Sequence, residues 1–253
     1  MRMALFLLCA LAILLRGGAR LRHERRTNPA GMMDFVSRFQ PILARRLFTA
    51  ANLLGGLSRN FEGFPGPLPA TFLIVSNHQS LADIPALAIA FSDRGLRYVA
   101  KSNLGRGLPY ISPSLRMGRH ALISRTGQYR EGQQELRRLA ALRRQGICPV
   151  VFPEGTRSRD GKVNEFFTGA MRVMLEHEPM PVLSVAIDGG YHLATLAKLL
   201  LHMRGTCYRV RPLTLYPAPQ GKRAVMDVIS RTETEIRSQI NAWRAQERAG
   251  SRA

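Results

Sequence analysis

Two short runs of the chain hold the side chains best suited to chemistry, and each directly follows an apolar stretch. In the first, residues 76–85 read SNHQSLADIP after the apolar residues 72–75. In a continuous helix five residues turn through about 500°, which leaves His78 and Asp83 about 140° apart. Contact between them therefore requires His78 in a turn and Asp83 at the start of a helix, where Pro85 suits the first helical turn. So placed, Asp83 accepts a hydrogen bond from one imidazole nitrogen and fixes the tautomer, leaving the other nitrogen to take a proton from a substrate hydroxyl. Taken alone, the two residues are better read as a surface histidine and a helix cap. The second run, residues 150–158, reads VVFPEGTRS. Gly155 admits close approach of an anion to the backbone, and Arg157 offers a two-pronged fork for phosphate. Its plain reading is a reverse turn ending in a solvated charge.

Together the two runs resemble the glycerolipid acyltransferase family, the 1-acylglycerol-3-phosphate O-acyltransferases and their relatives. The motif N-H-[QR]-S-x-x-D is matched by Asn77, His78, Gln79, Ser80 and Asp83, and F-P-E-G-T-R-S by residues 152–158, with Glu154 lying 76 positions after His78. An intermediate block of the family resembles Lys101 to Leu104, Pro109, Gly118 and Arg125, with one extra residue between Lys101 and Pro109 and another between Gly118 and Arg125. The resemblance implies that His78 and Asp83 are catalytic, His78 as general base and Asp83 as its orienting partner. It also implies that Lys101, Arg125, Glu154, Gly155, Thr156 and Arg157 bind substrate, the positive groups on an acceptor phosphate. The acyl thioester, acyl-CoA or acyl-acyl carrier protein, is then a co-substrate, and neither a cofactor nor a metal is called for. No G-x-S-x-G elbow occurs, so Ser76 and Ser80 are turn-forming hydroxyls rather than nucleophiles. The chain departs from the family where Phe-Lys-x-Gly is usual and Phe166-Phe167-Thr168-Gly169 stands instead, and where a strand proline is usual and Ser184 stands. Both positions bear on the acceptor and on the acyl pocket.

The elements that must position these residues follow from periodicity. Strands are expected at 71–75, 97–100, 121–124, 147–152, 182–187 and 208–216, and helices at 84–91, 129–144, 170–177 and 225–248. The alternation gives an α/β fold, a central mixed sheet flanked by helices, and the resemblance makes it glycerol-3-phosphate acyltransferase-like. Gly and Pro concentrate at 61–69, which places the acyltransferase domain at 60–253 behind a membrane-associating helical segment, 1–59.

Within that segment residues 3–15 are an unbroken apolar run followed by Arg16, Arg20, Arg22, Arg25 and Arg26. The run is shorter than the roughly 20 residues of a spanning helix and lacks a small-residue cleavage site, so a shallow anchor is expected, on the cytoplasmic face of the cell (inner) membrane. Residues 32–48 carry an apolar helical stripe interrupted by Pro41, read either as an interfacial helix or as one packed on the main domain.

The 253 residues hold 37 Lys plus Arg against 17 Asp plus Glu, a net charge of +20 that calls for anionic partners: a lysophospholipid acceptor, the acyl donor and an anionic membrane surface. Nucleic acid fits less well, since aromatics are 7% of the chain and no groove-reading motif occurs. A metal-dependent hydrolase using His78, Asp83 and Glu154 lacks a dense ligand cluster. The three cysteines, Cys9, Cys148 and Cys207, form no metal or disulfide pattern.

Overall fold

The structure, a computed structural model, describes residues 1–124 and 129–250. Strands β1 (Ser58–Phe61), β2 (Leu73–Ser76), β3 (Gly95–Lys101), β4 (Ala121–Ile123), β5 (Ile147–Val151), β6 (Val182–Asp188) and β7 (Cys207–Tyr216) form a seven-stranded sheet in the order β1-β7-β6-β2-β5-β3-β4. Only β6 and β7 run antiparallel; every other neighbouring pair is parallel. The expected mixed sheet is therefore present, and its catalytic candidates follow β2 and β5, two of its central strands.

Those strands are apolar throughout because helices cover both faces of the sheet. Every residue of β2, β5 and β6 is buried. On one face Leu73 and Val75 pack with residues of α5 (Tyr129–Ala141), α6 (Gly169–His177) and α8 (Gly221–Gly250). On the other, Phe72 and Ile74 pack with Phe48 of α2 (Met32–Gly55), Leu87 of α3 (Asp83–Ala90) and Phe6 of α1 (Arg2–Thr27). The long C-terminal helix buries Val225, Val228, Ile229, Ile236, Ile240 and Trp243, a stripe at helical spacing, so α8 is a packing element of the sheet.

Three elements escape the periodicity: β1, whose Ser-Arg-Asn-Phe sequence is polar, and the short helices α4 (Ile111–Met117) and α7 (Leu196–His202). β1 pairs in parallel with β7, so the chain enters the sheet at Ser58.

Residues 3–15 are only the first half of a longer helix. α1 is 26 residues long, and by length and composition one window of it is apolar enough to cross a membrane. Its second half is laid on the protein, with Gly17, Gly18 and Leu21 buried. Pro41 does not interrupt α2, contrary to expectation. The turn before it is held by the buried Arg97, whose guanidinium donates to the Met33 carbonyl at 2.8 Å and the Ser37 hydroxyl at 3.1 Å. Arg97 meets carbonyls and a hydroxyl rather than a carboxylate, and burial pulls its pKa down to about 10. Of the two readings of residues 32–48, packing is realised: Met32, Val36, Leu43, Ala44 and Phe48 are all buried.

Candidate active site

β2 ends at Ser76, and the next residue anchors the turn that follows. The Asn77 side chain donates to the Ile187 carbonyl at 2.8 Å and accepts from the Ile187 N–H at 2.9 Å, so its amide prolongs the β2–β6 pairing by one step. His78 then sits in the turn and Asp83 opens α3, the arrangement their spacing requires. His78 Nδ1 and Asp83 Oδ2 are 2.6 Å apart. Asp83 is fully buried, and three further donors converge on its carboxylate: the N–H groups of Gln79 at 2.7 Å and Ser80 at 2.9 Å, and the Tyr208 hydroxyl on Oδ1. With Nδ1 thus committed as a donor, Nε2 is left as the proton acceptor, and no described residue engages it. Ser76 and Ser80 close local bonds, to the Asn77 carbonyl and from the Ala82 N–H, as turn-forming hydroxyls do.

The second run is bolted to the first through the backbone of His78 itself. The His78 N–H donates to Glu154 Oε1 at 2.7 Å, and the His78 carbonyl accepts from the Ser158 N–H at 2.7 Å. Phe152 stacks on the imidazole, ring centres 4.2 Å apart and planes within 17°. Glu154 itself faces inward. It is buried, and its other oxygen accepts from the Asn164 N–H at 2.8 Å. Both oxygens face backbone donors, so in this structure Glu154 clamps His78 to the 164 loop. Burial drives its carboxyl up to about 7, against the opposing pull of those two N–H groups.

Gly155, Thr156 and Arg157 lie exposed on the turn, with Gly155 at φ +61°, a conformation open to glycine. Among the described residues the Arg157 guanidinium has neither a carboxylate nor a hydrogen-bond partner, which leaves its fork available. Lys101 ends β3, whose neighbour β5 runs parallel to it, so Lys101 stands at the carboxyl edge of the sheet, and no hydrogen bond or ion pair joins it to His78 or Arg157. Arg125 lies outside the described residues. The carboxyl edge of parallel strands is where α/β folds bind ligands.

Several residues that hold the site were not singled out. Tyr208, 125 positions beyond Asp83, reaches it from β7. Gln79 donates to Asp188 at 3.0 Å and accepts from the Tyr191 N–H, and Arg244 of α8 donates to the same Asp188 at 3.1 Å. The inward alternation of β7 was legible; which inward residue meets Asp83 was not. At the two family departures, Phe167 is 66% exposed with its N–H on the Pro153 carbonyl, and Ser184 accepts from the Thr214 N–H and donates to Glu235 of α8. Among the described residues no group of three or more His, Cys, Asp or Glu is placed to hold a metal ion.

Fold and geometry together define an α/β protein with a buried-carboxylate–histidine pair at the carboxyl edge of its parallel strands, equipped to deprotonate a hydroxyl beside an anion-ready arginine. Residues 59–188 match the Acyltransferase family model, just over half the chain, and the protein belongs to that family. Its fold is similar to that of the 1-acyl-sn-glycerophosphate (LPA) acyltransferase, PlsC, from Thermotoga maritima. The TM-score is 0.60 and the identity 22%, over 97% of this chain and 98% of that one. No curated protein sequence matches it significantly.

Proposed function

We propose that this acyltransferase moves a fatty acyl group from an acyl thioester to the free hydroxyl of 1-acyl-sn-glycerol 3-phosphate, giving phosphatidic acid for phospholipid synthesis. The observation that carries it is the pairing of an unengaged His78 Nε2 with an unpartnered Arg157 on a turn hydrogen-bonded to both backbone groups of His78. Nε2 takes the acceptor's hydroxyl proton as its oxygen bonds to the thioester carbonyl carbon. The C–S bond then breaks, and the imidazolium returns the proton to the departing thiolate. Asp83 holds the ring and offsets its positive charge. General-base help of this kind contributes roughly 10²- to 10⁴-fold, and the rest comes from positioning and from stabilising the oxyanion. The donor is acyl-CoA or acyl-acyl carrier protein, with no further cofactor and no metal. The acceptor and product are amphiphiles, so the reaction runs at an anionic membrane surface, on the cytoplasmic face, with α1 as the attachment.

A second acceptor, a lysolipid without phosphate such as lyso-ornithine lipid, is favoured by one feature: the exposed Phe167, where the family usually has lysine, puts an apolar ring instead of a cation beside the arginine turn. The purified protein offered a panel of lysolipids with both donor types, read by lipid mass spectrometry, separates the two. In the same assay Arg157→Lys keeps the charge but loses the planar fork. Transfer to the phosphate-bearing acceptor is expected to fall about 10- to 150-fold in kcat/KM, the scale of a hydrogen-bonded charge contact, with a much smaller loss on a phosphate-free acceptor. Equal losses on both overturn the phosphate role of Arg157.

A further inference from the structure

The two N-terminal helices line a groove of about 560 Å³. Its apolar lining includes Ile13, Ile42, Leu43 and the stacked pair Phe35 and Phe39. Its walls carry four arginines, Arg16 and Arg20 from α1 and Arg38 and Arg46 from α2, and no carboxylate lines it. None of the four has a hydrogen-bond or ion-pair partner among the described residues.

Arginines elsewhere in the chain are commonly neutralised. Arg138, Arg143, Arg172, Arg211, Arg237 and Arg244 each pair with a carboxylate. No ion pair among the described residues involves α1 or α2, although those helices contain Glu24 and Asp34. Like charges one turn apart on a helix repel, as Arg16 and Arg20 do, and Arg38 and Arg46, two turns apart on α2, add their charge to the same groove. The approach is close: a Cβ on Gly17 would lie 2.3 Å from Leu43 Cδ1, so a larger residue there would force that side chain to move.

We propose that this groove is a binding site for a single anionic glycerophospholipid of the membrane, its phosphate held by the arginines and the upper part of a chain lying on the phenyl rings. Guanidinium forks match phosphate oxygens bidentately, and a bound phosphate replaces repulsion among the four arginines by attraction to a shared counter-charge. The register along α1 supports a lipid over a soluble phosphate. Along the axis of α1 the exposed leucines Leu8, Leu11 and Leu15 end one residue before the level of Arg16, so the apolar stretch stops at the height where the arginines begin, as acyl chains give way to headgroups. The site rests on the reading of the chain as one that works at a membrane, and not on its acyl-transfer chemistry.

The test uses the full chain, native mass spectrometry for retained lipid, and flotation with vesicles of phosphatidylcholine alone or mixed with phosphatidic acid. The double variant Arg38→Gln, Arg46→Gln removes two groove charges; Arg25→Gln, Arg26→Gln removes two from the end of α1, outside the groove. Wild type and the second variant are expected to retain one anionic lipid per chain, and the first to lose it and to bind mixed vesicles about tenfold more weakly than the second. Replacing both groove arginines by lysine is expected to give partial retention, because point charge remains without the fork. Equal weakening of the two glutamine variants, or retention unchanged by the groove substitutions, overturns the site in favour of diffuse attraction. Absence of binding to either vesicle overturns the membrane reading itself, an outcome distinguishable from failure of the groove.

Discussion

At the level of single residues the site rests on one buried carboxylate. Asp83 gathers donors from the turn, from His78 and from Tyr208, so its position is over-determined while that of the imidazole depends on it and on the Phe152 ring. His78→Ala and Asp83→Asn are therefore expected to lower turnover at least about 10²-fold, the scale for losing a general base or its orienting partner. Circular dichroism of His78→Ala should stay native, because His78 is partly exposed at a strand tip and fills no core position. Full activity in His78→Ala would exclude the mechanism. Glu154 makes a different, pH-dependent prediction. Its carboxyl is pushed up to about 7 in the folded protein from 4.5, so the native state holds the proton more tightly than the unfolded chain between those values. Stability from this group is complete below about pH 4.5 and is lost as pH rises through about 7, up to about 3 kcal/mol. Glutamine cannot titrate. The stability advantage of wild type over Glu154→Gln, measured by urea unfolding, should therefore shrink from pH 5 to pH 8; an advantage that grows with pH would refute the burial assignment.

The elements show what local sequence can and cannot convey. His78, Asp83 and the 152–158 turn were legible because each lies at a junction where an apolar run breaks into polar residues, and the 78–83 contact follows from helix geometry alone. The clamp made by Glu154 was not legible because the residues that follow it, Gly155 to Arg157, are exposed, and nothing in a linear pattern says that the carboxylate before them turns inward to two N–H groups. β1 was hidden because a short polar edge strand has no apolar alternation. Tyr208 and Arg244 were hidden by distance: they arrive from β7 and α8, beyond the stretch that carries the motifs, and only the order of the sheet brings them to Asp83 and Asp188. The contribution of β7 can be measured. Tyr208→Phe keeps the packed ring, which contacts Phe48 and Phe61 edge-on, and removes only the hydroxyl on Asp83. Loss of one hydrogen bond to a charged group, with Asp83 still held by its other donors, is expected to lower kcat about tenfold with KM nearly unchanged. A change in KM alone would place Tyr208 in substrate binding instead.

For the whole molecule the distribution of charge and apolar surface sets where it works. The acyltransferase sheet is covered on both faces, yet α1 leaves Leu5, Leu8, Leu11 and Leu15 between 46% and 65% exposed while its other side packs on α2 and Tyr110. Removing α1 outright would strip cover from Tyr110 and Leu43 and leave an apolar scar, so a loss of lipid binding after deletion would not be a clean result. Substitution on the outer face is cleaner. Leu8→Glu with Leu15→Glu touches side chains that the fold does not bury, so unfolding by urea should be nearly unchanged. Each leucine transferred from water to lipid contributes up to about 1.5 to 3 kcal/mol, and a carboxylate there also repels an anionic surface, so binding to anionic vesicles should fall at least about 10²-fold. High salt should relieve only the part due to carboxylate repulsion and leave the apolar loss in place, whereas the same salt should weaken wild-type binding by screening its arginines. Flotation unchanged by the two glutamates would mean that this face of α1 does not meet the lipid, and would move the attachment to the exposed leucines of α7, Leu196, Leu200 and Leu201.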